Sequence, residues 1–410
     1  MIPADLGAEL AAAIRDLVAA GRLPPSATGL TAAGTWRPAP ERPAPGRSSP
    51  VRSGAGPGPG AAGPGPNRFG TGAAGNAAAR YATSLPFELA RLAGEEPGAI
   101  AAELGRAILR ADWVTSAEPT GAGYLTIGVT GAALAAVAVR ISQAGPCCVR
   151  STDLRSVSRP APPLPDLAVA LSWRQAWRDQ AAALTGRLAR AAGATPLPPA
   201  GSSAVGDAAG GGAPGGGVAA EAVAYAGADA VRYWLARMPA ARAHGLDRMV
   251  AAGRDPARRH ETPYSAPPFV MRDLSAVSFA AADAAAQARW AAELGLARRE
   301  PLAAGDLGKP AEAALLTELS WLAERVAGAA RRGQPDELPR YLERLAGAWL
   351  DCRESCPALP FGGRAAPGGA AGVSARLWLA GATATALAAG LDLVGIRGCR
   401  DQRLMSGSGA

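Results

Sequence analysis

The sequence predicts a mainly α protein: a small N-terminal α+β domain, a collapsed flexible middle and a C-terminal all-α helix bundle. Three observations predict it. Apolar residues recur every three to four positions over long stretches, which places them on one face of a helix. Leu315, Leu319, Leu322 and Val326 form one such stripe, Leu338, Leu342, Leu345 and Trp349 a second, and Leu387 and Leu391 continue a third from Leu377. Two short runs, 113–118 and 124–130, flank the turn string Pro119-Thr120-Gly121-Ala122-Gly123 and read as paired strands. Two stretches, 38–75 and 194–217, are dominated by Pro, Gly, Ala and Ser and carry too little bulk to build a core.

In chain order, residues 1–20 read as a helix with Ile2, Leu6, Leu10, Ile14 and Leu17 at helical spacing and Gly21 as its stop. After the disordered insertion 38–75, a helix is expected over 77–93, with Tyr81, Leu85, Leu89 and Leu92 on one face. Pro97 starts another, with Ile100, Leu104, Ile108 and Leu109 inward. The strand pair follows, then a helix over 131–142. Residues 160–165 form a proline-rich joint, and one helix over 166–192 carries Leu167, Leu171, Trp177, Leu184 and Leu188. The glycine run 210–217 reads as a linker. It lacks the preceding strand and following Lys-Ser/Thr of a phosphate cradle. The expected division is therefore 1–37 with 76–144, the insertion 38–75, a connector 145–193, a linker 194–217, a helical domain 218–405 and a tail 406–410.

The chain has 410 residues, room for two or three domains at ~150 residues each. Its net charge of +8 favours polyanionic partners, with nucleic acid first. A GC-rich coding habit gives the same sign, since Lys309 is the only lysine among the basic side chains. The five cysteines, Cys147, Cys148, Cys352, Cys356 and Cys399, are odd in number and scattered, as expected of packed free thiols in a reducing cytoplasm. No second Cys or His pair accompanies Cys352 and Cys356, so no metal is expected. Asp5, Glu9, Arg15 and Asp16 interrupt any apolar leader. The stretch 377–396 carries only Asp392 as a charge, but its Ala, Gly and Thr content and its amphipathic neighbours favour a core helix over a membrane span.

Particular strings go further than periodicity. Gly227-Ala228-Asp229-Ala230-Val231-Arg232-Tyr233-Trp234-Leu235 resembles the first helix of the anticodon-binding domain of arginyl-tRNA synthetases, named for its Asp-Ala-Leu-Arg (DALR) signature. Here Asp229, Ala230, Val231 and Arg232 stand at the signature, with Val231 at the Leu position. Ala284 to Gly295 resembles the family's alanine-rich helix, although Asp273-Leu274 departs from the Asn-Pro that opens it. Arg340-Tyr341-Leu342 with Leu345-Ala346, then Cys352-Arg353, Ala375-Arg376-Leu377, the run from Gly390 to Ile396, and Met405 follow the family pattern in order. At the front, Tyr81-Ala82-Thr83-Ser84 and Gly121-Ala122-Gly123-Tyr124-Leu125 resemble strings of the family's N-terminal domain, which grips the tRNA elbow. The resemblance covers about 1–141 and 221–405, apart from the insertion.

The resemblance stops where the family's chemistry lies. Synthetases of this class hold ATP with a His-x-Gly-His turn and a Lys-Met-Ser-Lys loop, whose donors stabilise charge on the transferring phosphate. The two histidines, His244 and His260, have no second histidine three residues away. Arg403-Leu404-Met405-Ser406 echoes the loop only superficially. Each βαβ unit of a nucleotide-binding core needs ~30 residues or more, and 145–220 holds one helix and low-complexity sequence.

The resemblance therefore implies a non-catalytic tRNA-binding protein that needs no cofactor. Two alternatives stay open: a protein-interaction module that no longer binds RNA, and an arginine–tRNA ligase or the accessory subunit of one. Candidate RNA contacts are the basic cluster Arg248, Arg254, Arg258, Arg259 and His260 for phosphates, and Tyr341, Trp349 and Met405 near the anticodon. Trp349 also belongs to an apolar stripe and Tyr341 lies off it, so core packing competes most strongly at Trp349.

Overall fold

The computed structural model describes residues 2–39, 78–197, 219–246, 271–296, 302, 307–359 and 369–396. Most of the two low-complexity stretches, and the tail 406–410, lie outside the described residues. The chain forms two compact units, one of residues 10–130 and one of residues 131–410 together with the first nine.

The N-terminal unit holds the body of helix α1 (Ile2–Ala19), strands β1 (Trp36–Pro38) and β2 (Ala79–Thr83), helices α2 (Leu85–Ala93) and α3 (Pro97–Ile108), and strands β3 (Val114–Thr120) and β4 (Tyr124–Val129). The strands form one antiparallel sheet in the order β1-β2-β4-β3. Tyr81 pairs with Ile127 and Thr83 with Leu125. Tyr81, Leu85, Leu89, Ile100, Leu104, Leu125, Ile127 and Val129 are all fully buried and make its core.

The helix expected over 77–93 is corrected here: its first part is β2. Tyr81 and Thr83 favour a pleated surface, and β4 supplies the partner. The switch to helix is local. The buried Thr83 hydroxyl accepts the Leu85 N–H at 3.2 Å, and Pro86 sits in the first turn of α2. Leu92 and Leu109, expected inward, are exposed. Gly123, with φ 128°, closes the β3–β4 turn; a Cβ there would lie 2.5 Å from Pro97 Cβ.

The C-terminal unit contains α4 (Gly131–Ala144), a parallel two-stranded ladder of β5 (Ser158–Pro160) and β6 (Thr195–Leu197), α5 (Trp173–Ala191), α6 (Ala220–Ala226), α7 (Ala228–Arg237), α8 (Ala240–Ala243), α9 (Met271–Glu293), α10 (Pro310–Ser320), α11 (Leu322–Arg332), α12 (Glu337–Ser355) and α13 (Gly369–Val394). α13 is the axis of the bundle, packed against α4, α9, α12 and the single turn at 145–149. Residues 131–149 and α13 are apolar and long enough to cross a membrane by composition, yet 78% of the α13 window is buried within the protein. Gly390 makes the close approach to α12 possible, because a Cβ there would overlap the Leu342 side chain.

The collapsed middle is fastened to this bundle through α5, which packs on α7 and α11. It also closes the end of α13. Gln180 Nε2 donates to the Val394 carbonyl at 3.1 Å, and Arg187 donates from Nε to the Leu393 carbonyl at 2.9 Å and from Nη2 to that of Asp392. The last carbonyls of a helix lack intrahelical donors and carry partial negative charge, so a guanidinium there answers both needs. Leu171, expected on the core face of this middle helix, is 81% exposed because α5 begins after it, at Trp173.

Candidate nucleic-acid interface

The signature helix α7 comes first. Gly227, at φ 85° and ψ 149°, occupies a backbone region closed to other residues and separates α6 from α7. Val231 is fully buried with Leu235, Leu167 and Trp173 in one apolar cluster. Arg232 is 14% exposed at its side chain; Nη1 lies 3.5 Å from Asp229 Oδ1 and Nη2 donates to the Pro165 carbonyl at 3.2 Å. Ala230 is half-buried on the same helix. One turn on, Tyr233 Oη donates to the Pro339 carbonyl at 3.0 Å, and Arg237 Nε meets Glu343 Oε1 at 2.6 Å. Arg232 of the signature ties α7 to the middle segment, and Tyr233 and Arg237 tie it to α12.

The two aromatic candidates on α12 are both in the core. Tyr341 has no exposed surface, and its hydroxyl donates to the Glu318 carbonyl at 2.7 Å. Burial, and after it the charge of Glu318, pushes its pKa well above that of a free phenol. Trp349 is 2% exposed, with Nε1 donating to Asp283 Oδ2 at 3.0 Å. Neither ring offers a face for a base to stack on. The reading of Tyr341 as off the apolar stripe is corrected accordingly: α12 packs against α9, α10, α11 and α13, so a wider arc is buried than the stripe marks. Arg248, Arg254, Arg258, Arg259, His260 and Met405 lie outside the described residues.

The exposed aromatics of the bundle lie elsewhere. On α9, Val277, Ala280, Ala284 and Ala291 are buried, and the helix packs on α12 and α13. Phe279 is 54% and Trp290 51% exposed, and Leu294, just past the helix end, is 60% exposed. Phe279 and Trp290 are three turns apart and share a face, with exposed Arg289 beside Trp290. Alanine on the inner face lets α9 lie close to its neighbours and leaves its large residues outside. Sequence reading saw only the alanines; the available signal was two aromatics at helical spacing away from the small-residue face. Exposed indole and phenyl faces next to a guanidinium can stack unpaired bases.

In the N-terminal unit, Tyr81 and Thr83 of the resemblance strings are core residues. Tyr124 is half-buried, with Arg37 Cζ 5.9 Å from its ring centre and Phe87 packed edge-on at 5.0 Å. Among the described residues no group of three His, Cys, Asp or Glu side chains could hold a metal ion.

The DALR anticodon binding domain family matches residues 289–400. The matched stretch starts at Arg289, takes in Trp290 and runs through α10 to α13, so Asp229–Arg232 lie outside it. Three curated proteins named arginine–tRNA ligase are similar over 42% of this chain: those of Renibacterium salmoninarum at 33% identity, Micrococcus luteus at 32% and Paenarthrobacter aurescens at 33%. These matches span 28–29% of the relatives' own length.

Proposed function

We propose that this chain, related to arginyl-tRNA synthetases through its DALR anticodon-binding domain, binds tRNA with its C-terminal helical unit and performs no aminoacylation by itself. The α9 face carries the proposal: Phe279, ahead of the family match, and Arg289 and Trp290, at its start, present two aromatic faces and a cation. Unpaired anticodon bases are the ligand such a surface suits, since stacking tolerates any base and the cation serves the backbone. Tyr124 and Arg37 give the N-terminal unit a smaller surface of the same chemistry, fitting a second contact with the tRNA elbow. The net charge of +8 favours encounter with RNA in the cytoplasm.

The non-catalytic reading rests on the two absent nucleotide-binding strings and on the content of the middle. Between α4 and α6 the described residues form α5, a short parallel ladder and two short 3-10 turns. Any ligase activity would then need catalytic residues from outside these 410.

The test is binding of folded tRNA against an unstructured RNA of equal length, with Trp290→Ala as the variant. Loss of one stacked base weakens tRNA by ~1–3 kcal/mol. Equal affinity for both RNAs, unchanged by the substitution, would sink the proposal and favour the protein-interaction reading.

A further inference from the structure

Helices α11 and α12 carry six arginines between them. Four face carboxylates: Arg331 meets Asp153 at 2.8 Å and Glu324 at 2.5 Å, Arg332 meets Glu337, Arg340 meets Asp336 at 3.2 Å, and Arg353 meets Asp283 at 3.3 Å. Arg325 and Arg344 are the exceptions, with no ion pair among the described residues. Each guanidinium instead lies over a ring one helical turn back. Arg325 Cζ is 5.0 Å from the centre of the buried Trp321 ring, and Arg344 Cζ is 5.7 Å from that of Tyr341.

The two cations also feel one another. Arg325 is held below its usual pKa by burial first and by the charge of Arg344 second, with Glu318 pulling the other way. The Arg325 Nε–H is buried with no acceptor, and Glu318 Oε2 is buried with no donor. Arg344 spends one N–H on the Arg340 carbonyl at 3.3 Å and is otherwise exposed. Two guanidiniums steadied by ring stacking, mutually repelling and short of acceptors, favour an anion that accepts from both.

We propose that Arg325 and Arg344 form an anion site on the α11–α12 face that takes a phosphodiester of the RNA backbone. The assignment to RNA rests on the tRNA reading above. Planar donors held against rings lose little freedom on binding, and phosphate offers oxygens to both forks at once. Such a contact positions the helical unit without reading sequence. It also explains why Tyr341 is buried: the ring is the platform for the cation that meets RNA, and does not meet RNA itself.

The experiment uses the full chain, the variants Arg344→Ala and Arg325→Lys, and Arg332→Ala as a carboxylate-paired control. Binding of tRNA is measured across a salt series, and thermal melting is followed in chloride and in inorganic phosphate at equal ionic strength. Arg344→Ala lowers the magnitude of the slope of log affinity against log salt by about 1. Arg325→Lys keeps the slope and weakens affinity, because charge remains and the fork is lost. Phosphate raises the melting temperature of the native chain, and Arg344→Ala removes that rise. Arg332→Ala changes neither readout. If the native chain binds tRNA and Arg344→Ala leaves slope and phosphate effect intact, the site is refuted. If phosphate protects and Arg344→Ala abolishes it while tRNA does not bind, the tRNA reading falls and the anion site stands. Competition by polyglutamate equal to that by polyuridylate would replace RNA with an acidic protein segment and overturn the assignment.

Discussion

Glu312 and Arg376 hold opposite charges almost wholly out of water, 0% and 6% exposed at their side chains and 2.8 Å apart. Arg376 Nη1 also approaches the Pro357 carbonyl at 3.5 Å, and Glu312 Oε2 accepts the Lys309 N–H at 2.9 Å at the start of α10. The pair thus joins α13 to the first turn of α10. Removing one partner leaves a buried charge uncompensated, so Arg376→Leu is expected to cost ~3–5 kcal/mol in urea unfolding. Joint replacement of both by apolar residues of similar volume should recover most of that. A loss under ~1 kcal/mol for the single variant would show that water reaches the pair. The cysteines make a second prediction at this scale. Burial pushes the Cys148 and Cys352 thiols up to about 12, while Cys147 is exposed. A thiol-reactive dye at pH 8 should label Cys147 quickly and those two only as the chain unfolds. The linkage sign follows from the same shift. The unfolded thiols ionise near ~8.5 and the folded ones near about 12, so stability is full below pH ~8.5 and falls as pH rises through that window. Flat stability over that range would mean the thiols are wet.

At the scale of elements, α5 is part of the bundle. Its Trp177 Nε1 donates to the Met238 carbonyl at 3.0 Å beyond the end of α7, and Gln180 and Arg187 close the end of α13. Gly395, at φ 98°, ends α13 by giving its N–H to the Leu391 carbonyl at 3.1 Å, and Ile396 gives its N–H to the same oxygen at 2.9 Å. α5 takes up the Leu393 and Val394 carbonyls that these turns leave free, and adds a second donor to that of Asp392, which already accepts the Gly395 N–H at 2.9 Å. Arg187→Ala is expected to destabilise the unit by ~1.5–3 kcal/mol, the range for a hydrogen bond from a charged donor. Hydrogen exchange in the last turn of α13 should rise with it. Unchanged exchange at 391–396 would make the Arg187 contacts incidental. The sequence marked α5 as a helix from its apolar spacing, but nothing local to it names the carbonyls of a helix end some two hundred residues later.

For the whole molecule, the packing of α4, α5 and α13 decides which pieces fold alone. A fragment of residues 131–396 keeps the bundle's helices apart from the start of α1, whereas one of residues 219–396 also loses α4, α5 and the turn at 145–149 that lie on α13, α10 and α11. The longer fragment should unfold cooperatively in urea. The shorter should unfold at lower urea and bind a hydrophobic dye, because the face of α13 that α4 covers becomes exposed. Equal midpoints would make 131–197 a passive attachment. Much of this molecule was legible in its sequence. The stripe shared by α10 and α11, those of α12 and α13, and the strand pair around Gly121–Gly123 follow from side-chain period and turn glycines that act within a few residues. The local signal failed at β2, where Tyr81 to Thr83 fit helix spacing and strand propensity alike and pairing with β4 settled the matter. It failed again for the site. Whether Tyr341, Trp349 and Arg232 face solvent depends on which helices pack beside them, and whether Phe279 and Trp290 remain outside depends on how alanine lets α9 sit. By itself the sequence determined which residues share a face of each element, since that is set by backbone geometry. Only the tertiary structure decided which faces are covered, since burial is a property of neighbours brought together from distant parts of the chain.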